Sequence, residues 1–148
     1  HITVDAEKLS SVSAEADIDF LYQAIYNLVE NACKFTPDGG RVSAAAGETE
    51  DGYFIAIKNS GAGIEPQALS MIWEKFYKTD DSRSKDKKGL GLGLYLVYKI
   101  IRAHGFEIAA KSEVGHYTEF IITIPKKQKG VSDVRRPQKQ RGDQELLP

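Results

Sequence analysis

Apolar residues recur at steps of three and four from Ile18 onward, through Leu21, Ile25, Leu28, Val29 and Ala32. That period gathers them on one side of an α-helix. Asp17 stands where an N-cap belongs, since a short carboxylate there accepts from the helix's first free backbone N–H groups. Pro37 and the Asp38-Gly39-Gly40 turn stop the helix and open a hairpin. RVSAAAGE and GYFIAIKNS then alternate as two paired strands. Upstream, HITVDA and LSSVSA read as two short strands with a turn between them. The segment Glu65–Phe76 reads as one or two short helices, with Pro66 suited to a first turn. LGLYLVYKIIRAH is a second long helix, apolar nearly all round and therefore expected to be largely buried. FEIAAKS and HYTEFIITIP close the pattern as strands. The order β, α, β-β, loop, α, β-β predicts an α/β fold of two layers, a mixed and mostly antiparallel sheet with helices on one face.

Two stretches fall outside this pattern. YKTDDSRSKDKK, residues 77–88, has almost nothing apolar, and a loop this long inside a compact domain is usually functional or disordered. Residues 127–148 carry six Lys/Arg against three acids, a charge of +3 that leaves −4 on residues 1–126 and −1 on the whole chain. They lack periodic apolar positions and read as a flexible basic tail. The organisation expected is one domain over 1–126 followed by this tail.

Composition narrows the picture further. With 41% hydrophobic and 28% charged residues the 148-residue chain suits one globular core. Its near-neutral charge favours neither nucleic acid nor an anionic membrane. Cys33 is the single cysteine, so no intrachain disulfide is possible. No apolar run reaches the roughly 18 residues of a membrane span, and no signal peptide is visible. The chain opens on His1 rather than Met, so a piece of a longer polypeptide is expected, with sensing or anchoring parts upstream.

Chemistry enters through NLVENACKFTPDGG. At about 100° per residue, Asn27, Glu30, Asn31 and Lys34 cluster on the side of the helix opposite the apolar series, with Phe20 and Ala24 flanking them. A solvated face normally favours Glu, Lys, Gln and Arg over Asn. A carboxamide offers a neutral oxygen for a hard cation and an N–H for a phosphate oxygen. Two of them one turn apart, with a lysine nearby, suit a magnesium polyphosphate. Downstream, NSGAGI (59–64) follows a strand, and Gly61 and Gly63 allow the backbone to turn or something to approach closely. KKGLGLGL (87–94) opens the second long helix, where Gly89, Gly91 and Gly93 can expose consecutive N–H groups to a phosphate. Neither run is a Walker loop or a Rossmann fingerprint.

In that order, these stations resemble the catalytic ATP-binding domain of sensor histidine kinases, within the GHKL ATPase group. NLVENACKFTP resembles the N box, NSGAGI the first glycine box, IWEKFYKTD the F box and GLGLGL the second glycine box, and the likeness covers roughly residues 9–126. The resemblance implies the Bergerat fold, a mixed sheet under three helices with ATP between the helices and a lid. It implies Asn31 as the magnesium ligand, Asn27 helping with magnesium and phosphates, Lys34 near the phosphate chain, and Phe35 lining the nucleotide site. Gly61 and Gly63 would let adenine and ribose lie near backbone, with Ile64 by the base. Residues 77–88 would be the lid, hinged at Phe76 and Tyr77. Lys88, Gly89, Leu90, Gly91 and Gly93 would close on the phosphates, with Leu92 and Leu94 anchoring the helix. Arg83, Lys85, Lys87 and Lys88 are the candidate lid cations.

Relatives of gyrase type place a general-base glutamate where this chain has Asn27, and an amide cannot activate water. The implied reaction is transfer of the ATP γ-phosphate to a histidine, with magnesium as the ion. Glu30 either orients a metal-bound water or assists the acceptor, or is simply a helix residue. None of His1, His104 and His116 sits in an acceptor context. The acceptor is therefore expected on an upstream dimerisation domain, which would also make the protein a homodimer, and a response regulator is the expected onward partner. Rival readings are a pseudokinase-like signalling module and an anti-sigma serine kinase. The expected setting is a cytoplasmic domain, such as a membrane-anchored sensor carries. One departure stands out: the family's first glycine box usually begins with aspartate, which accepts from the adenine amino group, and here it is Asn59. If that amide flips, it relaxes adenine-over-guanine selectivity.

Overall fold

The computed structural model describes residues 1–11, 14–78 and 90–126. Among these residues eight elements follow in chain order: β1 (Thr3–Leu9), α1 (Ile18–Phe35), β2 (Arg41–Glu48), β3 (Gly52–Ser60), α2 (Pro66–Leu69), α3 (Gly93–Ala103), β4 (Glu107–Glu113) and β5 (Tyr117–Pro125). The five strands form one sheet in the order β1-β2-β3-β5-β4. Only β1 and β2 pair in parallel, as they must when α1 carries the chain back across between them; the other three ladders are antiparallel. This is the mixed, two-layer α/β sandwich expected from the pattern.

Helix α1 begins where Asp17 accepts from the N–H groups of Asp19 and Phe20. It ends where Thr36 Oγ1 donates back to Ala32 O at 2.6 Å, just before Pro37. Ala24, Leu28 and Ala32 are fully buried on its inner side. They pack with Val97, Ile100 and Ile101 of α3 and with Ile57, Phe120, Ile122 and Ile124 of the sheet. Trp73, in the turns after α2, sets its ring edge against Phe120 at 5.8 Å between centroids and so staples this irregular segment to the core.

The N-terminal segment differs from the expectation. It is one strand rather than two, because the register shifts between Ala6 and Lys8 and the pairing then continues onto Ala45 and Ala46. A bulge absorbs the polar pair that looked like a turn. Ser10 and Ser11 lie beyond the strand, and residues 12 and 13 are outside the described set. The second long helix is also less enclosed than its composition suggests: Leu96 is 37% exposed, and Lys99 and Arg102 face outward. A two-layer fold can bury one side of such a helix against the sheet and leave the other open. Of the segment Glu65–Phe76 only Pro66–Leu69 is helical, and the rest runs as turns. The proposed tail, 127–148, lies outside the described residues.

Candidate functional site

The polar stripe of α1 lies along the edge of the core. Asn27 and Asn31 are half-buried, one turn apart, while Glu30 and Lys34 are exposed. Ala24, expected to flank the stripe, is itself fully buried, and Phe20 is 53% exposed. The two amides therefore stand where the helix passes from core to surface, placed to meet a ligand held against the protein. Lys34 Nζ lies 5.8 Å from the ring centroid of the adjacent Phe35, which is half-buried.

The C-terminal end of α1 meets the first glycine run directly. A Cβ on Gly61 would come within 2.7 Å of Phe35 O and 3.6 Å of Pro37 Cδ. A Cβ on Gly63, whose φ is +73°, would lie 2.4 Å from Glu113 O. The space in the Cβ direction of these glycines is thus taken by the protein's own backbone. The loop is sewn to the β4–β5 turn: Gly61 N–H donates to His116 O at 3.2 Å and Gly115 N–H to Ala62 O at 2.7 Å. Ile64 N–H donates to Ser112 Oγ at 2.8 Å. Ile64 itself packs half-buried against the core.

Asn59, at 4% exposed, is one of three buried polar residues among those described, with Thr36 and Thr118. Its Nδ2 donates to Ser60 O at 3.0 Å. A flip would set Oδ1 against that carbonyl, acceptor to acceptor, so the orientation expected to relax base selectivity is the unfavourable one. Directly across the β3–β5 ladder stands Thr118, which the sequence reading missed. It was visible in principle. In YTEFIITIP it shares the phase of Phe120, Ile122 and Ile124, all buried, and a threonine in the apolar phase of a strand needs a partner. Its partner is Ser112, at 3.1 Å between the two hydroxyl oxygens.

Phe76 N–H donates to Gly91 O at 3.1 Å, and Phe76 and Gly91 both have positive φ, +66° and +69°. Tyr77 is half-buried against the core, Phe76 61% exposed and Leu90 69% exposed. A Cβ on Gly91 would meet Tyr77 O at 2.8 Å, whereas one on Gly93 meets nothing within 4 Å. Gly93 is the first residue of α3, Leu92 caps the helix without a side-chain hydrogen bond, and the first turn holds no acid. Leu94 packs half-buried on the core. Lys88 and Gly89 lie outside the described residues, as do Arg83, Lys85 and Lys87. The structure therefore joins the end of the asparagine helix to the first glycine loop, and separately joins the F-box end to the second glycine run.

The histidines are placed clearly. His104 uses both ring nitrogens on backbone: Nδ1 lies 2.7 Å from Ile100 O, and Nε2 accepts from Asp17 N–H at 3.0 Å. Nε2 must be unprotonated to accept, so the ring is neutral with its proton on Nδ1. His116 is exposed at the β4–β5 turn, 3.8 Å from Glu113. The terminal amine of His1 pairs with Asp38 at 3.2 Å.

Residues 16–128 match the family model for histidine kinase-, DNA gyrase B-, and HSP90-like ATPases. The sensor protein SrrB of Staphylococcus aureus is 40% identical over 110 residues, which is 74% of this chain and 19% of that protein. This chain thus spans about a fifth of the length of the curated relatives it matches. Among solved structures, a mycobacterial sensor histidine kinase, MprB, superposes with a TM-score of 0.73 at 26% identity, over 84% of this chain and 81% of that one. The catalytic domain of the histidine kinase ThkA, in a nucleotide-free form, gives 0.66 at 28% identity over 84% and 76%.

Proposed function

The chain belongs to the histidine kinase-, DNA gyrase B-, and HSP90-like ATPase family, and from that membership we propose that it is the catalytic ATP-binding domain of a sensor histidine kinase. The observation that carries the reading is the half-buried pair Asn27 and Asn31 at the rim of α1, whose end touches the glycine loop beside Asn59. Asn31, with Asn27, holds a magnesium ion through amide oxygens; these neutral, hard donors fit that ion while the nucleotide's phosphates supply the charge. Held there, such an ion would supply positive charge against that developing on a transferring phosphoryl group. Lys34 approaches the same phosphates from the next turn, and Phe35 borders the nucleotide.

Asn59 and Ile64 mark the base end. Phe76 and Tyr77 on one side, and Leu90, Gly91 and Leu92 on the other, anchor the segment that closes on the phosphates; Lys88 and Gly89 belong to that segment. Gly93 and the uncapped start of α3 offer backbone N–H groups to an anion. Leu94 holds this helix start on the core.

Asn27 has no basic oxygen with which to activate water, so the site favours positioning over hydrolysis. Glu30, exposed next to Asn31, assists the incoming acceptor. That acceptor is not His104, whose nitrogens are both engaged. The nucleophile is a histidine on the dimerisation domain of the same protein, and the phosphoryl group then passes to a response regulator. The domain works on the cytoplasmic side, where ATP and a response regulator are at hand.

The test mixes the 148-residue chain with such a dimerisation domain, magnesium and γ-labelled ATP. Label should appear on the added domain, survive alkali and be lost in acid. Acid-stable label would indicate a hydroxyl acceptor and overturn the reading.

A further inference from the structure

Counting protons fixes the polarity of the base end. Ser112 Oγ lies 2.6 Å from Tyr117 O, 2.8 Å from Ile64 N and 3.1 Å from Thr118 Oγ1. A carbonyl can only accept, so the single proton of Ser112 goes to Tyr117, while the Ile64 N–H donates into Ser112 Oγ. The contact with Thr118 then has one available donor, the Thr118 hydroxyl. Ser112 has by now used its proton and both lone pairs, and Thr118 Oγ1 keeps only acceptor capacity. Asn59, paired directly opposite Thr118 in the ladder, is polarised in the same sense. One N–H of its Nδ2 is held by Ser60 O, which fixes the amide so that Oδ1 serves as an acceptor while the second N–H stays on the nitrogen. Cβ atoms of such opposed residues lie about 5 Å apart, so the two acceptors serve one neighbourhood.

We propose that Ser112 is a positioning residue for base selectivity: by taking the proton of Thr118 it leaves the Thr118 hydroxyl able only to accept from the base. Such a site takes a base whose exocyclic group is an amine and rejects one that presents a carbonyl there. The inference rests on the nucleotide reading above and deepens it. The same hydroxyl carries the glycine loop through Ile64, so the loop and the polarity of Thr118 are set by one atom.

The experiment is calorimetric titration of the full chain, with magnesium, using ATP and inosine triphosphate, which replaces the 6-amino group with a carbonyl and changes nothing else at that edge except N1. The unaltered chain should prefer ATP by about tenfold, the cost of setting a carbonyl against a Thr118 oxygen that can only accept. Ser112→Ala frees the Thr118 hydroxyl to turn and donate, and the preference should fall at least about threefold. In a Thr118→Val background there is no hydroxyl to turn, so Ser112→Ala should leave the ratio where Thr118→Val alone puts it. A shift of equal size in both backgrounds, or in neither, would make Ser112 a loop support only and overturn the proposal. If Ser112→Ala does not fold, Thr118→Ser must keep the preference and Thr118→Val lose it; equal ratios in those two overturn it as well. Equal affinity of the unaltered chain for both nucleotides sinks this proposal alone, whereas absence of ATP binding sinks the nucleotide reading with it.

Discussion

The N–H of Phe76 donates to the carbonyl of Gly91 across 3.1 Å, and both residues hold left-handed backbone to do so. This bond joins the two ends of the segment proposed as the lid. A non-glycine residue at φ +66° is an outlier that persists only where its surroundings impose it. Here the imposing contact is Gly91, whose absent Cβ admits the backbone of Phe76 and Tyr77.

Gly91→Ala and Gly93→Ala should therefore behave oppositely. The first sets a methyl 2.8 Å from Tyr77 O at a positive φ and should cost about 1–3 kcal/mol of stability. The second meets nothing within 4 Å and should leave stability within about 0.5 kcal/mol. Its ATP affinity should nevertheless fall about tenfold, because the methyl enters room the phosphates use. Urea denaturation and calorimetry together read both effects. Unchanged ATP affinity in folded Gly93→Ala would remove the phosphates from the start of α3.

Asn31→Ala should lower ATP affinity about tenfold or more with magnesium present and change it little in a chelator. The side chain is half-buried at the core's edge, so the fold should tolerate its loss. Titration with and without the metal is the check. An equal loss in both conditions would mean that Asn31 serves the nucleotide without the ion.

Gly63→Ala should be the more damaging glycine substitution at the base end. A Cβ there would lie 2.4 Å from Glu113 O, and the other atoms it would meet, in Glu113 and Val114, are backbone as well. A cost of about 2–4 kcal/mol is expected from the clash and the positive φ together. Thermal unfolding would show it. A change under about 1 kcal/mol would mean that the hairpin turn yields easily.

His104→Ala should cost about 1–3 kcal/mol, since it removes two hydrogen bonds and strands the N–H of Asp17. The loss should appear in urea melts even though His104 lies far along the chain from the asparagines. A neutral result would mean that water replaces the imidazole at no cost.

How much of this was legible depended on whether the signal was local. Helix α1 could be read because its cap, its apolar period and its stop signal lie within one stretch, Asp17 to Gly40. The asparagine pair and the glycine runs could be read for the same reason. The bulge at β1 could not, since Glu7 and Lys8 look like a turn until β2 is there to pair with. Ser112 and Thr118 were missed because each is an ordinary strand residue by itself. Their meaning lies in a register that brings Ser112 opposite Thr118 and Thr118 opposite Asn59. The glycines were found, but the close backbone neighbours of Gly61 and Gly63 were not legible, because an absent side chain announces a close approach without naming what approaches.

Strand β5, the last of the described strands, enters the sheet between β3 and β4 rather than at an edge. As the polypeptide emerges during synthesis, β4 has no neighbour to join, and Asn59 has no Thr118 beside it, until that final strand slots into place. Helix α1 can form early, yet the fold becomes able to recognise its nucleotide only in one late step. A nascent or clipped chain that lacks β5 should thus be blind to ATP, and the cell would never meet a half-built domain that binds it.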